Sequence, residues 1–137
     1  MAYSNLYGRF YASLDRSGAA LVKLWRFSPS RWYLAGILVL QALAWLESLF
    51  IYRNLGDKLL VLHYNVDFGI DLVGAPGQIF WYPWLGLAVL AVNMMVAAGL
   101  HQQRDGRPFI HFLLSTAVIF HLFLDLALFF VYLINFR

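Results

Sequence analysis

Three stretches of this chain, Trp32 to Tyr52, Ile79 to Leu100 and Phe109 to Asn135, are each apolar over a length that can cross a hydrocarbon layer. Such a layer is about 30 Å thick and takes about 20 helical residues at 1.5 Å of rise each. Within it every backbone N–H and C=O must be satisfied internally, so a helix is the form open to each segment. The rest of the composition agrees. Of 137 residues 62% are hydrophobic and 12% are charged, and the mean hydropathy is +0.68. A domain this short leaves much of its surface outside its core, so a water-soluble monomer is excluded. The 18% aromatic content excludes intrinsic disorder. The expected fold class is therefore all-α and integral to a membrane, a single membrane domain over 1–137.

Residues 3–27 carry a different pattern. Tyr3, Leu6, Tyr7, Phe10, Leu14, Leu21, Leu24 and Trp25 collect on one helical face, and Arg9, Arg16 and Lys23 form a line seven residues apart on the other. This is the pattern of an amphipathic helix lying in the interface, its basic line on anionic lipid headgroups. It fits a lipid anchor or a helix that docks a partner. No cleavable signal peptide is expected, because residues 1–31 lack a short continuous apolar core with a small-residue cleavage site.

Basic residues set the expected orientation. Arg9, Arg16, Lys23, Arg26, Arg31, Arg104 and Arg107 fall on one side of the three spans, against Arg53, Lys58 and Arg137 on the other. The positive-inside rule places the N-terminus in the cytoplasm of a plasma (inner) membrane, with the 53–78 loop and the C-terminus outside. Ten Lys/Arg distributed in this way are topology signals and not a phosphate-binding surface, so nucleic acid is not an expected partner. In the outer loop Lys58 to Val66 is rich in β-formers, and Gly74–Ala75–Pro76–Gly77 marks turns; the expectation is a short extended stretch with turns.

Chemistry has few places to reside. With no cysteine, disulfides, thiolate nucleophiles, Cys-based metal centres and CxxCH haem attachment are excluded. No nucleophile triad, phosphate loop or HExxH is present, so neither enzyme activity nor a metal centre is expected. Ionisable groups inside a span are costly and each marks a candidate site. In the third span His111, Ser115, His121, Asp125 and Tyr132 fall within about a third of the helix circumference. His121 and Asp125, four residues apart, can pair on one face. If spans one and three are neighbours, Glu47 joins them as an intramembrane polar cluster about 8–10 Å below the outer surface. His121 or His111 is also a candidate axial ligand for haem or chlorophyll, with no cofactor as the simpler reading. In the outer loop His63, Tyr64 and Asn65 stand beside Asp67 and Asp71, residue types that make turns as readily as ligand sets.

The stretch LHYNVDFGIDLVGAPGQIFWYPWLGLAVLAVN, residues 62–93, resembles small uncharacterised bacterial polytopic membrane proteins. It is distantly similar to the first domain of SdpI-like immunity proteins, in which a histidine, an aromatic residue and an asparagine lie outside the first helix. His63, Tyr64 and Asn65 match that triplet. The resemblance implies a bacterial-type plasma membrane and an outward loop, and a signalling or immunity-type role acting through that loop is one expectation. Small residues on spans one and two and the interfacial helix give another, which the residues themselves favour: a non-catalytic accessory subunit of a larger membrane complex. The haem- or chlorophyll-binding subunit is the third.

Overall fold

In a computed structural model the described residues are 28–67, 69–100 and 106–137, together with Tyr7, Gly8, Tyr11, Ala12, Gly18 and Val22. The interfacial helix expected over 3–27, with Arg9, Arg16 and Lys23, therefore lies largely outside the described residues.

Among the described residues, three helices are long and apolar enough to cross a membrane. Helix α1 spans Ser28–Leu55, α2 spans Trp81–Leu100 and α3 spans Arg107–Phe136. A 3-10 turn over Pro76–Phe80 leads directly into α2, as its proline, which has no N–H to place, favours at a helix start. The first and third helices run past the apolar stretches that announce them, because Ser28–Arg31 and Arg107–Pro108 add a polar turn at one end. At 28 and 30 residues they are about 42 and 45 Å long, enough for the hydrocarbon layer and part of both headgroup zones. Helix α1 stops where Gly56 takes φ +62°, a left-handed conformation that ends helices and suits glycine.

The loop between α1 and α2 corrects the all-helical expectation. Instead of one extended stretch with turns, it forms a two-stranded antiparallel hairpin of β1 (Leu60–Asn65) and β2 (Gly69–Gly74). Leu60 faces Gly74 and Asn65 faces Gly69, with register shifts on either side of His63. Those irregularities break the strict alternation that would reveal a strand in the sequence. At the tip Asn65 Oδ1 accepts from the Asp67 N–H at 2.8 Å, and Gly69 takes φ +79°. Asn135, near the end of α3, holds β1 as a neighbouring strand would. Its Oδ1 accepts from the Val61 N–H at 2.9 Å and its Nδ2 donates to the Val61 carbonyl at 2.8 Å.

The bundle is built on the pairing of α1 with α3, the most extensive contact between helices, while α2 packs mainly on α3. The contacts Tyr33–His111, Gln41–His121 and Phe50–Tyr132 advance together along both helices, so α1 and α3 are parallel and α2 is the return crossing. The buried positions explain the fit. On α1 they are Ser30, Leu34, Ile37, Gln41, Ala44, Ser48, Ile51 and Leu55, alternating steps of four and three. On α3 Ile110, Leu114, Ala117, His121, Leu124, Leu128 and Val131 repeat the same steps. The two stripes keep the constant offset of 80 residues seen in the Gln41–His121 contact, as expected for helices packed side by side on a heptad seam. An apolar cluster of Ala44, Ile51, Leu55, Leu60, Ile79, Leu124, Leu128 and Val131 fills the hairpin end. A smaller one of Ala97, Ala98, Ile110 and Leu114 fills the opposite end.

Candidate functional site

Between these two clusters the heptad seam carries a polar layer. His121 is wholly buried. Its Nδ1 lies 2.8 Å from the Ala117 carbonyl one turn back, and its Nε2 lies 3.0 Å from Gln41 Oε1 on α1. Gln41 Nε2 in turn donates to the Pro83 carbonyl of α2 at 2.9 Å, so one chain of bonds ties all three helices. The Pro83 carbonyl can only accept, which fixes the orientation of the Gln41 amide and points its oxygen at His121. Both imidazole nitrogens thus face carbonyl oxygens. Gly86 makes room for the layer, since a Cβ there would sit 2.4 Å from Gln41 Oε1 and 3.3 Å from His121 Nε2.

The layer differs from the pairing expected within α3. Asp125 makes no hydrogen bond to His121, and both its carboxyl oxygens are buried without a partner among the described residues. Helical side chains lean toward the N-terminus, which carries the His121 ring back to Ala117 and away from the turn that holds Asp125. Glu47 is half-buried, with Oε2 unpartnered, and the fully buried Ser48 Oγ beside it is unpartnered as well. By the same offset of 80 residues Asp125 stands level with Trp45, within a turn of Glu47 and Ser48 along the bundle. The expected cluster of Glu47, His121 and Asp125 is therefore split. His121 belongs to a bonded layer with Gln41, while Glu47, Ser48 and Asp125 form a separate group one to two turns nearer the hairpin.

Glu47 opens onto a groove of about 370 Å³ between α1 and α3, lined by Leu46, Glu47, Phe50, Ile51, Leu128 and Tyr132. The Phe50 and Tyr132 rings pack against each other in its wall, with centroids 5.8 Å apart. Helix α2 contributes nothing to this lining, so the groove faces away from α2.

The remaining sequence candidates are dispersed. His111 lies near the start of α3, half-buried, with Nδ1 3.5 Å from Tyr33 Oη and its ring edge-on to that tyrosine. It is about 15 Å along the helix from His121, too far for both to ligate one metal. Ligation by His121 would require Nε2 or Nδ1 to leave its present partner. His63 pairs with Asp71 across the hairpin at 2.6 Å, both largely exposed. Tyr64 is exposed and Asn65 belongs to the hairpin tip. No group of three His, Asp or Glu residues is placed to hold a metal ion among the described residues. Gln41 and Asn135 make the decisive polar contacts. Their signal is positional: Gln41 occupies a seam position, and Asn135 falls one turn past Val131.

Comparison with protein families, with curated proteins and with solved structures gives no match to this chain.

Proposed function

We propose that the chain is a non-catalytic accessory subunit of a larger membrane complex, seated in a bacterial-type plasma membrane with its N-terminus in the cytoplasm and the hairpin outside. The observation that carries this reading is the hairpin. Strand β1 is fastened to α3 through Asn135, whereas β2 pairs only with β1 among the described residues. The hairpin turns Leu59, Val66, Ile70, Leu72 and Val73 outward, Val66 being 89% exposed. The apolar flanks of the helices are covered by lipid in a membrane, whereas the hairpin belongs to the loop that follows α1, with β1 lying against the last turns of α3. An apolar display there is the kind of patch that a partner protein covers, and an unpaired edge strand accepts an added strand. The polar layer supports a structural role, because Gln41 and His121 spend their bonds on holding helices together.

The test is purification in a mild detergent, with quantitative mass spectrometry of the assembly and a visible spectrum of the same fraction. A partner at fixed ratio that is lost on Ile70→Lys, with the bundle still folded, is the expected result. A lone chain, or a partner indifferent to the hairpin, refutes the reading. A visible chromophore abolished by His121→Ala would replace it with the cofactor-binding one.

A further inference from the structure

The group of Glu47, Ser48 and Asp125 is not explained by the subunit reading. In the bonded layer one to two turns away every polar atom of the two side chains has found a carbonyl or a nitrogen, yet here Glu47 Oε2, Ser48 Oγ and both oxygens of Asp125 have no partner. Asp125 is only 8% exposed and Ser48 is wholly buried. Buried polar atoms without partners are uncommon and costly, the more so for carboxyls. A single donor of several hydrogens carrying positive charge would satisfy these oxygens together.

The surroundings narrow its chemistry. A bare metal ion would find too few ligands, for calcium takes about six to eight oxygens and no third acidic or histidine side chain is within reach among the described residues. A primary ammonium needs only about three acceptors. Glu47 also opens onto a groove that is otherwise apolar and flanked by aromatic rings, with about 370 Å³ of space, at the small end of ligand-sized pockets. Phe50 and Tyr132 are part of that lining, and aromatic rings attract cations. A carboxylate in an apolar, aromatic groove open to the lipid matches a cation that carries an apolar chain.

We propose that the groove between α1 and α3 binds a primary-ammonium amphiphile, its headgroup on Glu47 with Asp125 behind, its chain along Leu46, Phe50 and Leu128. The ammonium can be that of an aminophospholipid or of a free long-chain amine. The proposal does not depend on the hairpin having a partner.

Native mass spectrometry of the full chain, released from phosphatidylcholine nanodiscs, tests it with dodecylamine against dodecanol, which has the same chain and no charge. Dodecylamine is expected to be retained one per chain with at least tenfold preference over dodecanol. Glu47→Gln should abolish the preference, Phe50→Leu should weaken it, and Asp71→Asn on the hairpin should leave it intact. Retention of phosphatidylethanolamine over phosphatidylcholine of matched chains would identify a lipid as the occupant, and equal retention of the two lipids with dodecylamine still preferred would identify a free amine. Equal binding of dodecylamine and dodecanol to the unmodified chain overturns the proposal without reference to any variant's folding. So does a preference that survives Glu47→Gln with helix content unchanged.

Discussion

The polar layer makes a quantitative prediction. Gln41→Leu removes two hydrogen bonds, to His121 Nε2 and to the Pro83 carbonyl. His121→Leu also removes two, to Gln41 Oε1 and to the Ala117 carbonyl. Hydrogen bonds between or within membrane helices contribute about 0.6 kcal/mol on average and up to about 1.7. Each single substitution is then expected to cost about 1–3 kcal/mol. The double substitution removes three bonds and not four, because the Gln41–His121 bond is shared. It also strands neither partner, whereas Gln41→Leu alone leaves a buried imidazole nitrogen unmatched. The double variant should therefore be more stable than the sum of the singles by about 1–2 kcal/mol. Unfolding in mixed micelles by titration with dodecyl sulfate, followed by far-ultraviolet circular dichroism, measures all four corners of the cycle. Singles that add to within about 0.5 kcal/mol would mean the two side chains do not act as a unit, and the layer would lose its structural role.

Three further outcomes follow from local geometry. Gly86→Ala would bring a methyl to 2.4 Å from Gln41 Oε1 and should cost about 1–3 kcal/mol in the same titration, while Gly36→Ala, which meets nothing within 4 Å, should be neutral or slightly stabilising. Asn135→Leu should raise hydrogen exchange at the Val61 amide at least tenfold, with α1 and α3 unchanged, because Val61 N–H loses its acceptor. Disrupting the exposed His63–Asp71 pair with Asp71→Asn should change stability by less than about 1 kcal/mol, as solvent screening of a pair open to water predicts.

The three helices could be read from hydropathy because the lipid imposes one rule on the whole backbone, and their ends moved only by the polar turns that Ser28–Arg31 and Arg107–Pro108 add. The pairing inside the bundle was harder to read. The steps of four and three that bury Leu34, Ile37, Gln41 and Ala44 are masked by equally apolar residues on the lipid side, such as Leu38 and Val39. Placing Gln41 opposite His121 also requires the offset of 80 residues, which no local pattern carries. His121 and Asp125 looked like partners because four residues bring side chains to one face. Side-chain lean, and a better acceptor across the seam, decided otherwise. The hairpin was legible only as β-forming residues, since its register shifts around His63 erase the period that marks a strand.

Two sets of polar groups on or beside one heptad seam, one to two turns apart, have opposite fates, and the contrast separates structure from binding. A parallel pair of helices that are apolar all round can slide by a heptad, about 10 Å, and still bury leucines against alanines. Such a slide would set His121 against Leu34 or Ser48 in place of Gln41 and would break the link to Pro83. One satisfied polar layer thus fixes the register, and α2 locks it through Pro83 and Gly86. Once the register is fixed, Glu47, Ser48 and Asp125 need not bond to each other to hold the helices together. Their unmade bonds remain beside a groove open to the lipid. A carboxyl that served only packing would be paired, as Gln41 and His121 are; carboxyls left unpaired on a seam already locked elsewhere are poised for a ligand that arrives from outside the bundle.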